Sequence, residues 1–247
     1  MAFITNLITK HFRDRSQFLL FSYLLMTSIF GGLLIWYRLH LTNFQWDKIH
    51  SLHDMLTYRT ASHTFFFFLW NLFLAWMPYW CALALNRISR EKTILSDIGA
   101  GILFCCWLLF FPNAPYIITD LLHLKYRAPI PLWYDVMLMM TFAWTGLMLG
   151  YASLFEIQYF LEKRFSKIIT WSTLVFAIML GGFGVFMGRF QRLNSWDVAT
   201  KPFALIRSQI EILMNPLQYS QTLGVAVLLS AFMLLGYLTM NALRLKN

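Results

Sequence analysis

Six stretches of the chain are almost continuously apolar, and the polar residues collect in the connections between them. The stretches run over residues 17–37, 64–85, 94–111, 135–155, 168–188 and 221–240. Each has about 18 residues or more, the length that an apolar helix needs to cross the hydrocarbon core of a bilayer. The pattern predicts an all-α fold, a polytopic membrane helix bundle with about six transmembrane helices, in a single membrane domain over residues 1–247.

Composition agrees with this pattern and removes other classes of protein. Hydrophobic residues make up 59% of the chain and charged residues 13%, whereas a soluble globular domain has about 25% charged residues. Three cysteines are too few for a secreted disulfide scaffold, and the apolar content excludes intrinsic disorder. The bilayer is therefore the first partner that the sequence predicts.

Lysine and arginine are distributed unevenly between the connections. Segments 1–16, 86–93, 156–167 and 241–247 hold 11 of them in 43 residues, and segments 38–63, 112–134 and 189–220 hold 9 in 81 residues. Because basic loops stay in the cytoplasm, this difference predicts cytoplasmic termini and three longer connections outside. The net charge of +9 is spread over many short loops, so it indicates no nucleic-acid partner.

Two glycine motifs lie inside the predicted spans. Gly146-x-x-x-Gly150 and Gly184-x-x-x-Gly188 would allow the fourth and fifth helices to approach each other closely. No internal repeat is visible in the chain, and this absence gives no support to a transporter built from inverted repeats. We interpret the glycines as packing residues.

A short amphipathic helix is predicted directly after the third span. Pro112 ends that span, and a helix from Ala114 to Lys125 would have Asn113 as its N-cap and Pro115 in its first turn. Polar residues recur at intervals of three and four, which would place them on one face. They are Asn113, Tyr116, Asp120, His123 and Arg127. The apolar residues on the other side would rest on the outer membrane edge or enter it.

Asp120, His123 and Asp135 are the candidate catalytic residues. Asp120 lies one helical turn from His123, so the carboxylate could orient the imidazole, raise its basicity or hold a divalent metal with it. The alternative is that Asp120 caps a helix or pairs with an arginine while His123 sits at the interface. Asp135 follows Trp133 and Tyr134 at the start of the fourth span, where it either joins the site or compensates the helix dipole.

Candidate substrate-binding residues follow the fifth span. Arg189 and Arg192 would share a face if that helix extends by one turn, and two guanidinium groups side by side suit a phosphate or carboxylate. The alternative is that these arginines pair with Asp120, Asp135 or Asp197. The full set of predicted substrate-binding residues is Asn113, Tyr116, Arg189, Arg192, Asn194, Trp196 and Asp197.

Two further helices are expected on the outer surface. Segment 45–58 has Ile49, Leu52 and Leu56 on one face and His50 and His53 on another, a pattern typical of an interfacial helix. Segment 202–215 repeats apolar residues at helical spacing and is followed by a proline. Together they would form a partial lid over the outer end of the bundle.

Three blocks of this chain resemble a known family. They are the Pro112-Asn113-Ala114-Pro115-Tyr116 run through Thr119, Asp120 and His123, the Trp133-Tyr134-Asp135 triplet, and Gly188-Arg189-Phe190 with Arg192, Asn194, Ser195, Trp196 and Asp197. Over about residues 20–240 the sequence is similar to the bacterial integral membrane family called domain of unknown function 1361. The resemblance implies a bacterial inner-membrane protein of several spans. It also implies that the three blocks belong to one site, but it carries no reaction.

Three functions remain open at this point. The first is an outer-face site for a lipid-linked or phosphorylated substrate, with paired arginines for the anion and Asp120 with His123 for acid–base chemistry or a metal. The second is a structural or partner-binding membrane subunit, in which the polar blocks form internal ion pairs. The third is a small-solute transporter, for which Asn71 and Gln158 are the polar candidates inside the membrane region.

Overall fold

The structure is a computed structural model that describes residues 13–42, 65–91, 93–190, 200, 203, 207, 210, 214–215 and 219–244. Its elements are α1 (Arg15–Leu41), α2 (Phe66–Ile88), α3 (Ile94–Phe110), α4 (Asn113–Tyr116), a 3-10 helix (Ile117–His123), α5 (Leu132–Glu162), α6 (Lys167–Phe190) and α7 (Ser220–Arg244). The predicted surface helix over 45–58 lies outside the described residues. Of the predicted helix over 202–215, the structure describes only isolated positions.

Six described segments are long and apolar enough to cross a membrane. They are α1, α2, α3 continued through the 3-10 helix, α5, α6 and most of α7. Each overlaps one predicted span, and the predicted all-α membrane helix bundle is confirmed.

Contacts between helix ends show that neighbouring spans run in opposite directions. Arg38 near the end of α1 pairs with Asp135 near the start of α5, whereas Asn86 near the end of α2 contacts Glu156 near the end of α5. We name the two ends of the bundle after buried acids. The Asp120 end holds the 3-10 helix, the end of α1 and the start of α5, and the Glu156 end lies opposite.

The chain enters and leaves the described bundle at the same end. Arg13 donates a hydrogen bond to Glu156, and Arg244 lies close enough to act on the same carboxylate through its charge. An even number of spans requires this arrangement, and six spans therefore agree with these contacts.

Helix α5 is the centre of the bundle. In its most apolar stretch 72% of the residues are buried, against 17% in α1 and in α7. Small residues such as Ala143, Ala152 and Ser153 line its buried surface and allow neighbouring elements to approach. The outward faces of α1 and α7 carry exposed apolar side chains, as a surface against lipid requires.

Both predicted glycine motifs receive the turn that follows α3. A Cβ atom added at Gly146 would lie 2.6 Å from the backbone oxygen of Ala114, and one at Gly150 would lie 3.4 Å from the Ala114 Cβ. A Cβ atom at Gly184 would lie 2.6 Å from Pro112. The turn is therefore lodged between α5 and α6, and Gly146, Gly150 and Gly184 make room for it.

The third apolar helix ends at Phe110, close to the predicted end at residue 111, but the segment that is long and apolar enough to cross a membrane does not stop there. It is interrupted there and continues through His123. Pro112 has no backbone N–H to continue the helix, and the Asn113 side chain donates a hydrogen bond of 2.9 Å to the Phe110 carbonyl at the break. The 17 residues of α3 measure about 26 Å at 1.5 Å per residue. The hydrocarbon core of a bilayer is about 30 Å thick, so the continuation brings the segment to the length that a crossing requires.

The predicted α-helix over 114–125 is mostly a 3-10 helix, and this changes its faces. With three residues per turn, Ile117 lies on the same side as Asp120 instead of opposite to it. Both are buried, with exposed fractions of 0% and 1%, while Leu122 from the predicted apolar side is 68% exposed. The predicted division into one polar and one apolar face is therefore wrong.

Replacing Gly146 with alanine tests the lodged turn. The added Cβ would meet the Ala114 backbone oxygen, which cannot move like a side chain. We expect Gly146→Ala to cost about 1–3 kcal/mol through overpacking and to lower the melting temperature in detergent by several degrees. Gly101→Ala is the matched control, because a Cβ atom there meets nothing within 4 Å. Equal melting temperatures for the two variants would contradict this packing.

Candidate functional site

Asp120 and Arg189 form an ion pair that joins the broken third span to the end of α6. The distance from Arg189 Nη2 to Asp120 Oδ1 is 3.0 Å, and the two side chains are 11% and 1% exposed. The other carboxylate oxygen accepts a hydrogen bond of 2.9 Å from the side-chain amide of Asn71 in α2. Asp120 thus has a partner at each oxygen, and three spans meet at this carboxylate.

The Arg189 guanidinium is held by two further residues of the same broken span. Its Nη2 donates to the backbone oxygen of Thr119, and its Nη1 lies 3.4 Å from the Tyr116 hydroxyl. The Tyr116 ring lies below the guanidinium, 5.4 Å from centroid to Cζ. A guanidinium has five N–H donors, so Nε–H and one Nη1–H have no hydrogen-bond partner among the described residues.

Among the described residues, His123 makes no hydrogen bond or ion pair with the Asp120 carboxylate, whose partners are Asn71 and Arg189. Its ring packs edge-on against Phe67 with centroids 6.1 Å apart, and its backbone oxygen accepts a hydrogen bond from Arg127. Its side chain is exposed. Of the two predicted partners of Asp120, an imidazole and an arginine, the described structure brings the arginine into contact.

Positive charge predominates around His123. Arg189, Arg127 and Lys125 all lie close enough to act on the imidazole through their charges. The negative charge of Asp120 compensates one of these three positive charges, that of Arg189. This corner of the Asp120 end therefore favours an anion over a cation.

Asp135 belongs to a second buried cluster. Its two oxygens accept hydrogen bonds of 2.7 and 3.2 Å from Arg38, and both side chains are almost fully buried. The Arg38 and Arg127 guanidinium groups both lie over the Phe65 ring, at 4.1 and 5.2 Å. Phe65 has a φ of 61°, a conformation that costs a bulky residue roughly 1–3 kcal/mol. Contacts of this cluster hold the chain in that conformation.

The other predicted site residues divide into two groups. Asn113 binds the end of α3 at the helix break, and Tyr116 contacts Arg189. Arg192, Asn194, Trp196 and Asp197 lie outside the described residues. Their roles remain predictions.

Sequence reasoning missed the partners that hold the acids in place. Arg38 was counted only as a loop charge, and Asn71 was considered only for transport. A buried acid at a span end requires a compensating donor, and each of these residues lies within about two turns of a predicted span end. That position is the signal that could have indicated them.

A divalent metal would need ligands beyond this cluster. Within the described ranges, no three His, Cys, Asp or Glu residues lie together in a group that could hold a metal ion. The predicted metal therefore stays a prediction that depends on residues outside those ranges.

One comparison with known proteins gives a match. The model of the family described as "Protein of unknown function (DUF1361)" matches residues 70–236, more than half of the chain. The matched region includes Asn71, Asp120, Asp135 and Arg189, whereas Arg38 precedes it. No curated protein and no solved structure matches the chain. By the extent of the family match, this integral membrane chain belongs to the DUF1361 family.

Proposed function

We propose that the Asp120 end of the bundle binds an anionic group, a phosphate or pyrophosphate carried by a lipid-linked molecule. The observation that carries this proposal is the hydrogen bonding of the Arg189 guanidinium. Its guanidinium is fixed by three acceptors, yet two of its donors have no partner among the described residues, and 11% of its side chain is exposed. A charged fork held in one orientation is suited to a phosphate.

Asp120 acts in this proposal as a positioning residue. One of its oxygens is bound to Arg189 and the other to Asn71. A carboxylate with both oxygens engaged is poorly placed to accept a proton from a substrate, since a general base must reach the proton that it removes. We therefore propose binding at this end and assign no reaction to it.

The position of the cluster supports an amphiphilic ligand. Arg189 is the second-last residue of a helix that is long and apolar enough to cross a membrane, and Met179, Leu180 and Phe190 of that helix are exposed. A molecule with an anionic head and a hydrocarbon chain can place its head at Arg189 while the chain remains in the bilayer. A fully soluble phosphate compound would gain nothing from this location.

Orientation forms part of the same proposal. We propose that the Asp120 end lies outside a bacterial inner membrane and that both termini are cytoplasmic. The higher density of lysine and arginine in the connections at the Glu156 end supports this direction. The anion site would then face the outer leaflet.

The second candidate is a structural or partner-binding subunit, and the Arg38–Asp135 pair favours it. Both side chains are almost fully buried, and the residues lie 97 positions apart. Burial of both side chains keeps the pair away from a ligand, and the pair ties α1 to α5. In this alternative, the Asp120–Arg189 pair has the same role.

Binding of farnesyl pyrophosphate to the purified protein separates these candidates. We expect Arg189→Gln to weaken this binding by about tenfold or more, because a charge-assisted hydrogen bond contributes roughly 1.5–3 kcal/mol. Lys167→Gln is the control, since it removes one exposed charge from the other end of the same helix. Farnesol, which lacks the phosphates, should bind to neither variant nor to wild type.

A double variant guards against simple misfolding. Arg189→Gln leaves Asp120 buried without its cation, whereas Arg189→Gln with Asp120→Asn removes both charges. We expect the double variant to regain most of the melting temperature but not the binding. If wild type and the double variant bind farnesyl pyrophosphate equally, or if wild type does not bind it, the anion site is rejected and the structural candidate takes its place.

The Arg38–Asp135 pair gives a stability prediction. Asp135→Asn leaves a buried guanidinium without a counter-charge, which typically costs about 3–5 kcal/mol. We expect a large fall in the melting temperature in detergent. Arg38→Met combined with Asp135→Leu should recover much of it, because an apolar pair of similar volume is often as stable as the ion pair. A mild effect of Asp135→Asn alone would show that the pair is not needed for stability.

Cysteine labelling tests the proposed orientation. In a background without the three native cysteines, Lys125→Cys and Lys167→Cys place one exposed thiol at each end. With a membrane-impermeant maleimide on cells whose outer membrane is permeabilised, we expect labelling at position 125 only. Position 167 should react after lysis. The reverse pattern would invert the proposed topology.

A further inference from the structure

The Glu156 end contains a cavity that the proposed function does not use. Its volume is about 810 Å³, and it opens between the start of α1 and the ends of α2 and α5. Its apolar wall is formed by Leu83, Phe160 and Phe165, beside a group of charged residues. We name this cavity the basic pocket.

Positive charge exceeds negative charge in the basic pocket. Its lining includes the five cations Arg13, Arg87, Arg90, Lys163 and Arg164. The two acids of the lining are Asp97 and Glu156, so five positive and two negative charges leave an excess of three. Asp14 lies just outside the lining and pairs with Arg13 at 3.0 Å. Counting it still leaves an excess of two.

Both acids of the pocket are already engaged. Glu156 accepts hydrogen bonds from Asn86 at 3.0 Å and from Arg13 at 3.4 Å. Asp97 pairs with Arg164 at 2.7 Å. Both carboxylates are therefore paired with cations before an anion enters. The excess of positive charge in the lining then attracts that anion.

We propose that the basic pocket binds a phosphate group, carried by the headgroup of an anionic phospholipid. Basic pockets between membrane helices are suited to such headgroups. The cavity is larger than a phosphate ion needs and lies within the size range of pockets for small organic ligands. Its apolar wall gives the glycerol backbone and the start of the acyl chains a surface. A soluble phosphate compound shares the phosphate chemistry but does not need that wall.

This site is independent of the proposed anion site at Arg189. The two lie at opposite ends of the bundle and share no residue. If the Glu156 end is cytoplasmic, the basic pocket meets the inner leaflet, where anionic lipids attract clustered lysine and arginine. The absence of binding at one end would therefore leave the proposal for the other end unchanged.

Native mass spectrometry of the full chain can test the basic pocket. The protein is reconstituted with equal amounts of phosphatidylglycerol and phosphatidylcholine, and the lipids that remain bound are counted. We expect wild type to retain phosphatidylglycerol in preference. We expect Arg90→Gln with Lys163→Gln to lower that preference by at least about fivefold, roughly the contribution of one basic residue near an anionic surface.

Two controls give the result its meaning. Arg15→Gln with Lys167→Gln removes the same two charge types from exposed positions at the same end, outside the pocket lining, and should leave the preference unchanged. The difference between wild type and the Arg90→Gln/Lys163→Gln variant should persist when both proteins also carry Arg189→Gln with Asp120→Asn, because that background removes any lipid held at the proposed anion site. Retention of the two lipids in equal amounts by wild type, or an equal loss in the control, overturns the proposal.

Inorganic phosphate distinguishes the two sources of the phosphate group. If millimolar phosphate does not displace phosphatidylglycerol, the lipid headgroup is the ligand, as we propose. If phosphate displaces the lipid from wild type and raises the melting temperature of wild type but not of the Arg90→Gln/Lys163→Gln variant, the phosphate site stands. The lipid assignment is then overturned in favour of a soluble phosphate compound.

Discussion

Charge pairing inside an apolar bundle is the constraint on which the rest of this structure depends. A carboxylate or guanidinium removed from water costs several kcal/mol unless a partner compensates it. Asp120 and Asp135 are each about 1% exposed, and each is bound to an arginine from another helix. Because those partners belong to different spans, satisfying the charges also fixes which helices are neighbours. The pairs at the Asp120 end connect α1 with α5, and α6 with the broken third span.

Close packing of small residues makes this pairing geometrically possible. Gly146 and Gly150 allow Ala114 to approach the central helix, and Gly184 does the same for Pro112. The lodged turn brings the 3-10 helix down between its neighbours, and Asp120 then lies within hydrogen-bond distance of Asn71. Larger side chains at the glycine positions would move the carboxylate away from its partners. Packing and electrostatics are thus two parts of one arrangement.

The two ends of the bundle differ in how their charges are balanced. Around Arg189 a single guanidinium is held in place, and two of its donors have no partner within the described ranges, which supports our proposal of a site for one anionic head. At the Glu156 end several cations share a cavity of about 810 Å³ with two engaged carboxylates, an arrangement suited to a lipid headgroup. An anionic amphiphile is the common chemistry of both proposals, although each rests on its own residues.

Local sequence by itself determined that this is a membrane protein with six apolar helices, because the free energy of placing a span in lipid depends mainly on its own length and composition. It also indicated Asp120, Asp135 and Arg189 as unusual residues. Only the tertiary structure decided their partners. Arg38 and Asp135 are 97 positions apart, and Thr119 and Arg189 are 70 apart, so their contact depends on how the helices pack. The 3-10 form of Ile117–His123 has the same origin, since the glycine surfaces of α5 and α6 receive the break and propensity alone predicts an α-helix.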